Sequence, residues 1–540
     1  MATEGVDLLI IGAGITGAGI ARDAAMRGIR TALVDKGDFG SGTSSRSSRL
    51  VHGGLRYLEH YHWRLVFEAS RERRTLLRIA PHLVRPRSFL FPIHQGSRVS
   101  LPKLAAGLWL YDILALFRNV RRHEMLSKRA LRRAEPSLKP RGLKGGARYY
   151  DAQCDDARLT LANVRDAHQH GAKVANYVQM DKLESADGQV RGARVTDLVT
   201  GEQHGVRALV VVNATGPWTD GIRATDGGGP VLRTSKGAHV VVPRHRIGNR
   251  EALTITSPID GRVMFIVPWG ELSYIGTTET AADTDPDGVT AQAEDVVYLL
   301  RSANALFPEA RLTERDVVAT WAGIRPLIKP RGDGDPSAAS REHRCLESPS
   351  GLISIVGGKL TTYRTMAAEV TDLVARRLHR VDGRPLPERA PTDREPLPGG
   401  EVHDVEVLVE EVVDSGYPRA LAEHLVFAYG SETPAVLRLS EEDPGLREPI
   451  VPGHPAVKAE LVHAMRREMA ITLGDLLMRR THLFYEVPGQ AADQAAAVIE
   501  LAAAEMGWDA DRRSAELAAY LYEVERNNAF RDELSGSPVS

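Results

Sequence analysis

At 540 residues the chain is longer than one ordinary hydrophobic core organises, so two or three domains are expected. Lys+Arg 69 against Asp+Glu 70 leaves a formal charge of −1, which excludes a global basic field and with it a nucleic-acid partner. The two cysteines, Cys154 and Cys345, have no metal-ligand spacing and no pairing pattern, so they read as thiols in a reducing compartment, with no metal and no disulfide.

The first apolar strand begins within a few residues of the start, leaving no room for a signal peptide, and a cytoplasmic protein is expected. Leu8–Ile11 runs into Gly12-x-Gly14-x-x-Gly17, a small-residue helix follows to about Arg27, and the strand Thr31–Val34 ends in Asp35. For a dinucleotide each part has a task. Gly12 permits the turn, Gly14 lets backbone approach a pyrophosphate at the helix N-terminus, and Gly17 lets the helix pack on the sheet. Asp35 accepts from a ribose, favouring FAD or NAD over NADP. The motif alone does not separate those two.

After Asp35 comes KGDFGSGTSSRSSRLVHGGLRYLEHY, small hydroxylated residues and glycines ending in a basic and aromatic cluster. A turn-rich surface loop has this composition, but the loop leaves the carboxyl end of a parallel strand, where open α/β sheets bind ligands. Its donors, with Arg46 or Arg49, suit a pyrophosphate and a flavin edge.

Residues 43–61 closely resemble the FAD-dependent glycerol-3-phosphate dehydrogenases of the aerobic, membrane-linked type, within the wider D-amino-acid-oxidase-like flavoproteins. DDARL at 155–159, NATGPW at 213–218, KGAH at 236–239, PWG at 268–270, GTTE at 276–279, GIRP at 323–326 and GGKLTTYR at 357–364 extend the resemblance over almost the whole chain. Arg49, where lysine is common, and Glu279, where aspartate is, depart from the pattern with charge kept.

The resemblance implies FAD held by Gly12, Gly14, Thr16, Gly17 and Asp35, by Thr43, Ser44, Ser45, Arg49, His52, Gly53, Gly54 and Leu55, by Val178 near the adenine, by Ala214, Gly216 and Trp218, and by Gly357, Gly358, Lys359, Leu360 and Thr361. It implies sn-glycerol 3-phosphate among Arg56, Tyr57, His239, Arg325, Lys359 and Thr361. A flavin oxidation of an alcohol also needs a base. His52 and His239 each sit in a carried-over motif, and the sequence does not separate them; Arg325 completes the candidate catalytic set. Electrons would pass to a membrane quinone. An oxidase giving them to dioxygen, or a flavin-holding membrane-associated protein without catalysis, are the other readings. The resemblance leaves room for a homodimer.

Residues 64–144 read as helical and basic. Within them 100–123 carries apolar residues on most of its circumference and a cationic end, and the pattern favours a buried cap helix over one lying at a membrane interface. Its apolar part, Leu104–Phe117, contains Asp112 and is shorter than the ~20 residues of a spanning helix. A helix over 156–170 and strands at 173–178, 190–197 and 205–213 return to the nucleotide fold. Between 231 and 278 the pattern is β-rich, and 351–378 reads as strand, Gly-rich turn and helix, with Thr361 or Thr362 as cap. Five prolines and three glycines in 381–400 mark a linker, and the remainder is helical with a frayed last dozen residues.

The expected architecture is therefore an α/β, Rossmann-like FAD-binding domain (1–70, 145–215 and 320–380), an inserted antiparallel β-rich cap domain (71–144 and 216–319), the linker, and a C-terminal helical domain (401–540). The enzyme is expected to lie peripherally on the inner face of the cell membrane.

Overall fold

The computed structural model describes residues 5–55, 58, 62–282, 285–329 and 342–536. Its first sheet has eight strands: β1 (Val6–Ile11), β2 (Thr31–Val34), β7 (Lys173–Ala175), β8 (Val178–Ala186), β9 (Gln189–Asp197), β10 (Gln203–Asn213), β17 (His343–Glu347) and β18 (Ile353–Gly357). The order β18-β10-β1-β2-β7 is parallel throughout. Every residue of β1 is buried, which is why it reads as an unbroken apolar run: Leu8 and Ile10 pack under helices, while Val6, Leu9 and Ile11 pack against Val190, Ala193 and Val195 of β9. Helix α1 (Ile15–Met26) lies on it, backed by the helix Tyr363–Asp382. A Cβ on Gly19 would stand 2.7 Å from the Tyr363 ring, so the two helices touch only because α1 is built of small residues.

The second sheet has ten strands: β3 (Leu50–Val51), β4 (Val84–His94), β5 (Glu124–Ser127), β6 (Leu143–Cys154), β11 (Leu232–Pro243), β12 (Ala252–Thr256), β13 (Val263–Trp269), β14 (Leu272–Gly276), β15 (Thr280–Ala281) and β16 (Ala319–Ile328). All of its pairings are antiparallel except β4 with β12.

Three expectations change here. The stretch 64–144 is not all helical: between α2 (Trp63–Ile79) and α3 (Leu101–Leu114) it contains β4. Two prolines disguise this strand, but Pro86 and Pro92 lie outside the two residues paired with β12, so on that side the missing N–H costs no ladder bond. Second, β6 and β16 run in the second sheet, so 145–154 and 320–328 group by strand pairing with the cap and not with the dinucleotide fold. Third, the chain end is not frayed where described. The helix Ala510–Gly536 runs through it with Phe530 fully buried and Arg531 donating to the Glu314 carbonyl at 2.8 Å.

The segment 383–400 has neither helix nor strand, yet it is strapped down. Arg22 donates to the carbonyls of Thr392 (3.1 Å) and Glu395 (2.9 Å), and the Leu397 amide donates to Ile79 (2.8 Å). Beyond it, the helical region returns Arg479 and Arg480 to Asp38, in the loop after β2.

Candidate active site

The glycine turn is built for close approach. Gly12 has φ +100°, a Cβ there would lie 2.8 Å from the Ala214 carbonyl oxygen, and one on Gly17 would collide with the Gly12 carbonyl. Gly14 caps α1 without a side-chain hydrogen bond. Around it the Ala13 amide donates to Asp35 Oδ2 (2.6 Å), the Gly37 amide to Asp35 Oδ1 (2.9 Å) and the Ile15 amide to Ser44 Oγ (2.9 Å). Burial pushes the Asp35 carboxyl up to about 6, against those two amides. Each of its oxygens can accept a further donor, and ribose hydroxyls supply them. The Val178 amide donates to the Asp35 carbonyl at 2.7 Å, so the position expected near an adenine does adjoin the acid. The open backbone at the glycine turn and the Asp35 carboxylate fit an FAD.

Three other residues expected around the cofactor, Thr43, Arg49 and Trp218, hold side-chain partners within the protein. The Thr43 hydroxyl donates to the Ile324 carbonyl at 2.7 Å. Arg49 is buried, its guanidinium 4.0 Å from the Trp269 ring centre and 5.1 Å from that of Trp321, with Asp156 at 3.8 Å; its side chain braces the aromatic cluster. Trp218 covers Gly42 and donates from its indole to Asp287 at 3.3 Å, under Lys36. Ser45 is buried in the same turn, Thr16 belongs to the first turn of α1, and Gly216 has φ +56°. Gly357 and Gly358 have φ +74° and +92° and precede the short turn Leu360–Thr362, but no Thr362 side-chain cap forms.

A cavity of about 440 Å³ has walls that include Ser48, His52, Leu55, Phe265, Thr277, Thr278, Glu279 and Arg325, with α3 closing it through Lys103, Leu104, Gly107 and Leu110. Arg98, Lys103, Arg262 and Arg325 outnumber Asp151 and Glu279 along it, a balance that suits an anion. Arg325 donates to Thr277 Oγ1 (2.9 Å) and to the Thr278 carbonyl (3.2 Å). Gly237 leaves the guanidinium room, since a Cβ there would overlap it. Glu279 pairs with Arg262 at 3.4 Å.

The two histidines separate in space. His52 faces the cavity, edge-on to Phe265 (centroids 6.3 Å), and its amide donates weakly to Thr361 Oγ1 at 3.4 Å. His239 lies behind Ser48, its Nε2 2.9 Å from Ser48 Oγ, its ring stacked on Trp321 at 4.9 Å, and its Nδ1 buried without a partner. Burial, then the charges of Arg325 and Arg49, depress it to about 3. It does not line the cavity, nor do Lys359 and Thr361. Thr361 instead meets the His52 backbone. Gly53 and Gly54 are buried behind His52. Arg56 and Tyr57 lie outside the described residues. Sequence reasoning missed Ser48, Asp151, Arg262 and the α3 wall; GTTE, quoted for its resemblance, already held Thr277 and Thr278. Among the described residues no group of His, Cys, Asp or Glu could hold a metal ion.

A family model described as FAD dependent oxidoreductase matches residues 7–364. The chain belongs to that family. A second, the C-terminal domain of alpha-glycerophosphate oxidase, matches residues 390–513. Aerobic glycerol-3-phosphate dehydrogenase of Staphylococcus haemolyticus is 38% identical over 92% of this chain and 90% of its own; that of Staphylococcus aureus is 37% identical over 96% and 94%. Among solved structures, the glycerol-3-phosphate dehydrogenase of Bacillus halodurans, complexed with FAD, superposes with a TM-score of 0.82 at 33% identity, covering 98% of this chain and 96% of that one. The FAD-bound L-alpha-glycerophosphate oxidase of Mycoplasma pneumoniae shares the fold, with a TM-score of 0.55 at 15% identity over 73% of this chain and 98% of that one. The cofactor is FAD, and the Rossmann-like domain with a helical C-terminal domain is the expected architecture.

Proposed function

We propose that this flavoenzyme oxidises sn-glycerol 3-phosphate to dihydroxyacetone phosphate and delivers the electrons to a membrane quinone. The observation that carries it is the cavity in which His52 and Arg325 line the same walls, in a chain whose relatives bear the substrate in their names.

Gly12, Gly14, Gly17, Asp35 and the Ser44 turn would hold the adenosine diphosphate part of FAD, and the Gly357–Thr361 backbone its pyrimidine edge. When bound, FAD supplies the acceptor for the hydride of C2. Arg325, preset by Thr277 and Thr278, takes the phosphate by charge-assisted hydrogen bonds, with Arg262 and Lys103 adding field. Lys359 and the start of the helix Tyr363–Asp382 favour negative charge beside them. His52 takes the C2 hydroxyl proton. His239 is a poor alternative: with its pKa about 3, protonating it at neutral pH costs about 5 kcal/mol. It serves better as a fixed acceptor or donor for Ser48.

No described helix is long and apolar enough to cross a membrane, and quinone lies in the bilayer. The exposed apolar face of α3 supports attachment to the inner membrane surface. The test is anaerobic addition of glycerol 3-phosphate to purified yellow protein. Bleaching of the absorbance at about 450 nm, with quinone restoring the colour and little peroxide on re-aeration, is expected. Stoichiometric peroxide would make it an oxidase, and unbleached flavin a binding protein without catalysis.

A further inference from the structure

Behind His52 runs a buried polar network that hydride transfer does not itself require. The Gly53 amide donates to Asp151 Oδ1 at 3.0 Å, and the same oxygen accepts from Tyr111 Oη of α3 at 2.7 Å and from Arg73 of α2. Arg73 also donates to Tyr111 Oη (2.9 Å) and to Asn119, whose Nδ2 donates to Asp112 Oδ1 (2.6 Å); Asp112 Oδ2 in turn meets His123 Nδ1 at 2.7 Å. Asp151, Arg73, Tyr111 and Asp112 are each at most 2% exposed. The packing is close, since a Cβ on Gly53 would overlap Tyr111 Oη and come within 2.7 Å of Ser70 Oγ.

A buried carboxylate with three donors on one oxygen holds those donors in one arrangement, because releasing any of them leaves a polar group without water. Here the donors come from the loop carrying His52, from α2, and from α3, which lines the cavity. We propose that Asp151 is a positioning residue for the base: it clamps the His52–Gly53 backbone to α2 and α3, with Tyr111 as the second jaw, so the imidazole stands at a set distance from the substrate hydroxyl. This rests on His52 as the base.

Tyr111→Phe is the mild test, since it removes one jaw and keeps the Arg73–Asp151 pair. The FAD-loaded variant should lose about tenfold in kcat with a dye acceptor, as small displacements of a catalytic group do, with KM within twofold and FAD content unchanged. The acidic limb of its kcat pH profile should move. Wild-type kcat and an unmoved limb would overturn the proposal. Asp151→Asn, folded by its circular dichroism, should show the larger loss; a smaller one than Tyr111→Phe also overturns it. A readout independent of turnover separates this from failure of the base assignment: the His52 Cε1–H resonance, identified by its loss in His52→Asn, should shift in Tyr111→Phe. An unshifted resonance sinks the clamp even if His52 proves to be the base, and a shifted one with full activity in His52→Asn sinks only the base.

Discussion

Asp38 and Arg480 form a bidentate pair, Nη1 2.7 Å from Oδ2 and Nη2 3.0 Å from Oδ1, with both side chains buried and Arg479 joining at 2.5 Å. Burial alone would raise the Asp38 carboxyl; the two guanidinium groups hold it well below the usual carboxylate range. One partner lies in the loop between Asp35 and Ser44, the other in the C-terminal helical region, so that region braces the turn proposed to hold the cofactor.

Arg480→Met should therefore destabilise the protein by about 3–5 kcal/mol, the cost of breaking a buried pair from one side. FAD should also leave faster than from wild type. Thermal midpoints and flavin retained after gel filtration check this, and an unchanged flavin off-rate would show that the C-terminal region does not brace the loop.

Acid should weaken the fold through histidines as well as carboxylates. His82 is buried under Gly399 and Gly430, and burial, then Arg158, depresses it to about 3. Its folded pKa lies below the unfolded value of about 6.5, so between those pH values the unfolded chain binds the extra proton and stability falls as pH falls. The contribution is intact above about 6.5. His82→Phe should flatten the decline in unfolding midpoint between pH 6.5 and 5, and an identical slope would place the acid sensitivity elsewhere.

Much of this was legible locally. The glycine turn, its acid and the GIRP arginine are each set by a few adjacent residues with a backbone or charge requirement. What was hidden depends on distant partners. That Arg49 packs between Trp269 and Trp321 is not visible in its own neighbours in sequence. His239 reads as a base until Trp321 stacks on it and Ser48 stands in front. The β4 strand carries prolines that only its short pairing with β12 makes harmless. For α3, pattern favoured burial, and the helix proves two-sided: Leu104, Leu108, Tyr111 and Asp112 are buried while Trp109 and Ile113 are about half exposed.

Arg325→Ala should reduce kcat/KM for glycerol 3-phosphate by about 2–5 kcal/mol of transition-state binding with FAD content kept, because its guanidinium is held by Thr277 and Thr278 at the cavity. Gly237→Ala, which contacts no substrate in this reading, should act in the same direction by pushing the guanidinium aside. Steady-state kinetics on both variants decide it. Normal turnover at low substrate in Arg325→Ala would make that arginine structural.

The outer face of α3 gives the last prediction. Trp109, Ile113, Leu116 and Phe117 are 47–56% exposed, apolar side chains in one short stretch that a monomer in water has reason to cover. Cations surround them: Arg118, Arg121 and Arg122 follow directly, Arg122 lies 5.2 Å from the Phe117 ring, and Arg118 is close enough to α2 that, after burial, it is the main charge lowering Arg74. Apolar side chains entering an interface while arginines meet anionic headgroups is how a chain attaches without spanning. Arg121→Glu with Arg122→Glu should release the enzyme from anionic liposomes, as should high salt, while dye-linked activity stays near wild type, because neither residue lines the cavity. Trp109→Ser should weaken binding without changing its salt dependence. Liposome flotation measures all three, and retention of the double charge reversal on the vesicles would mean that the membrane-facing surface lies away from α3.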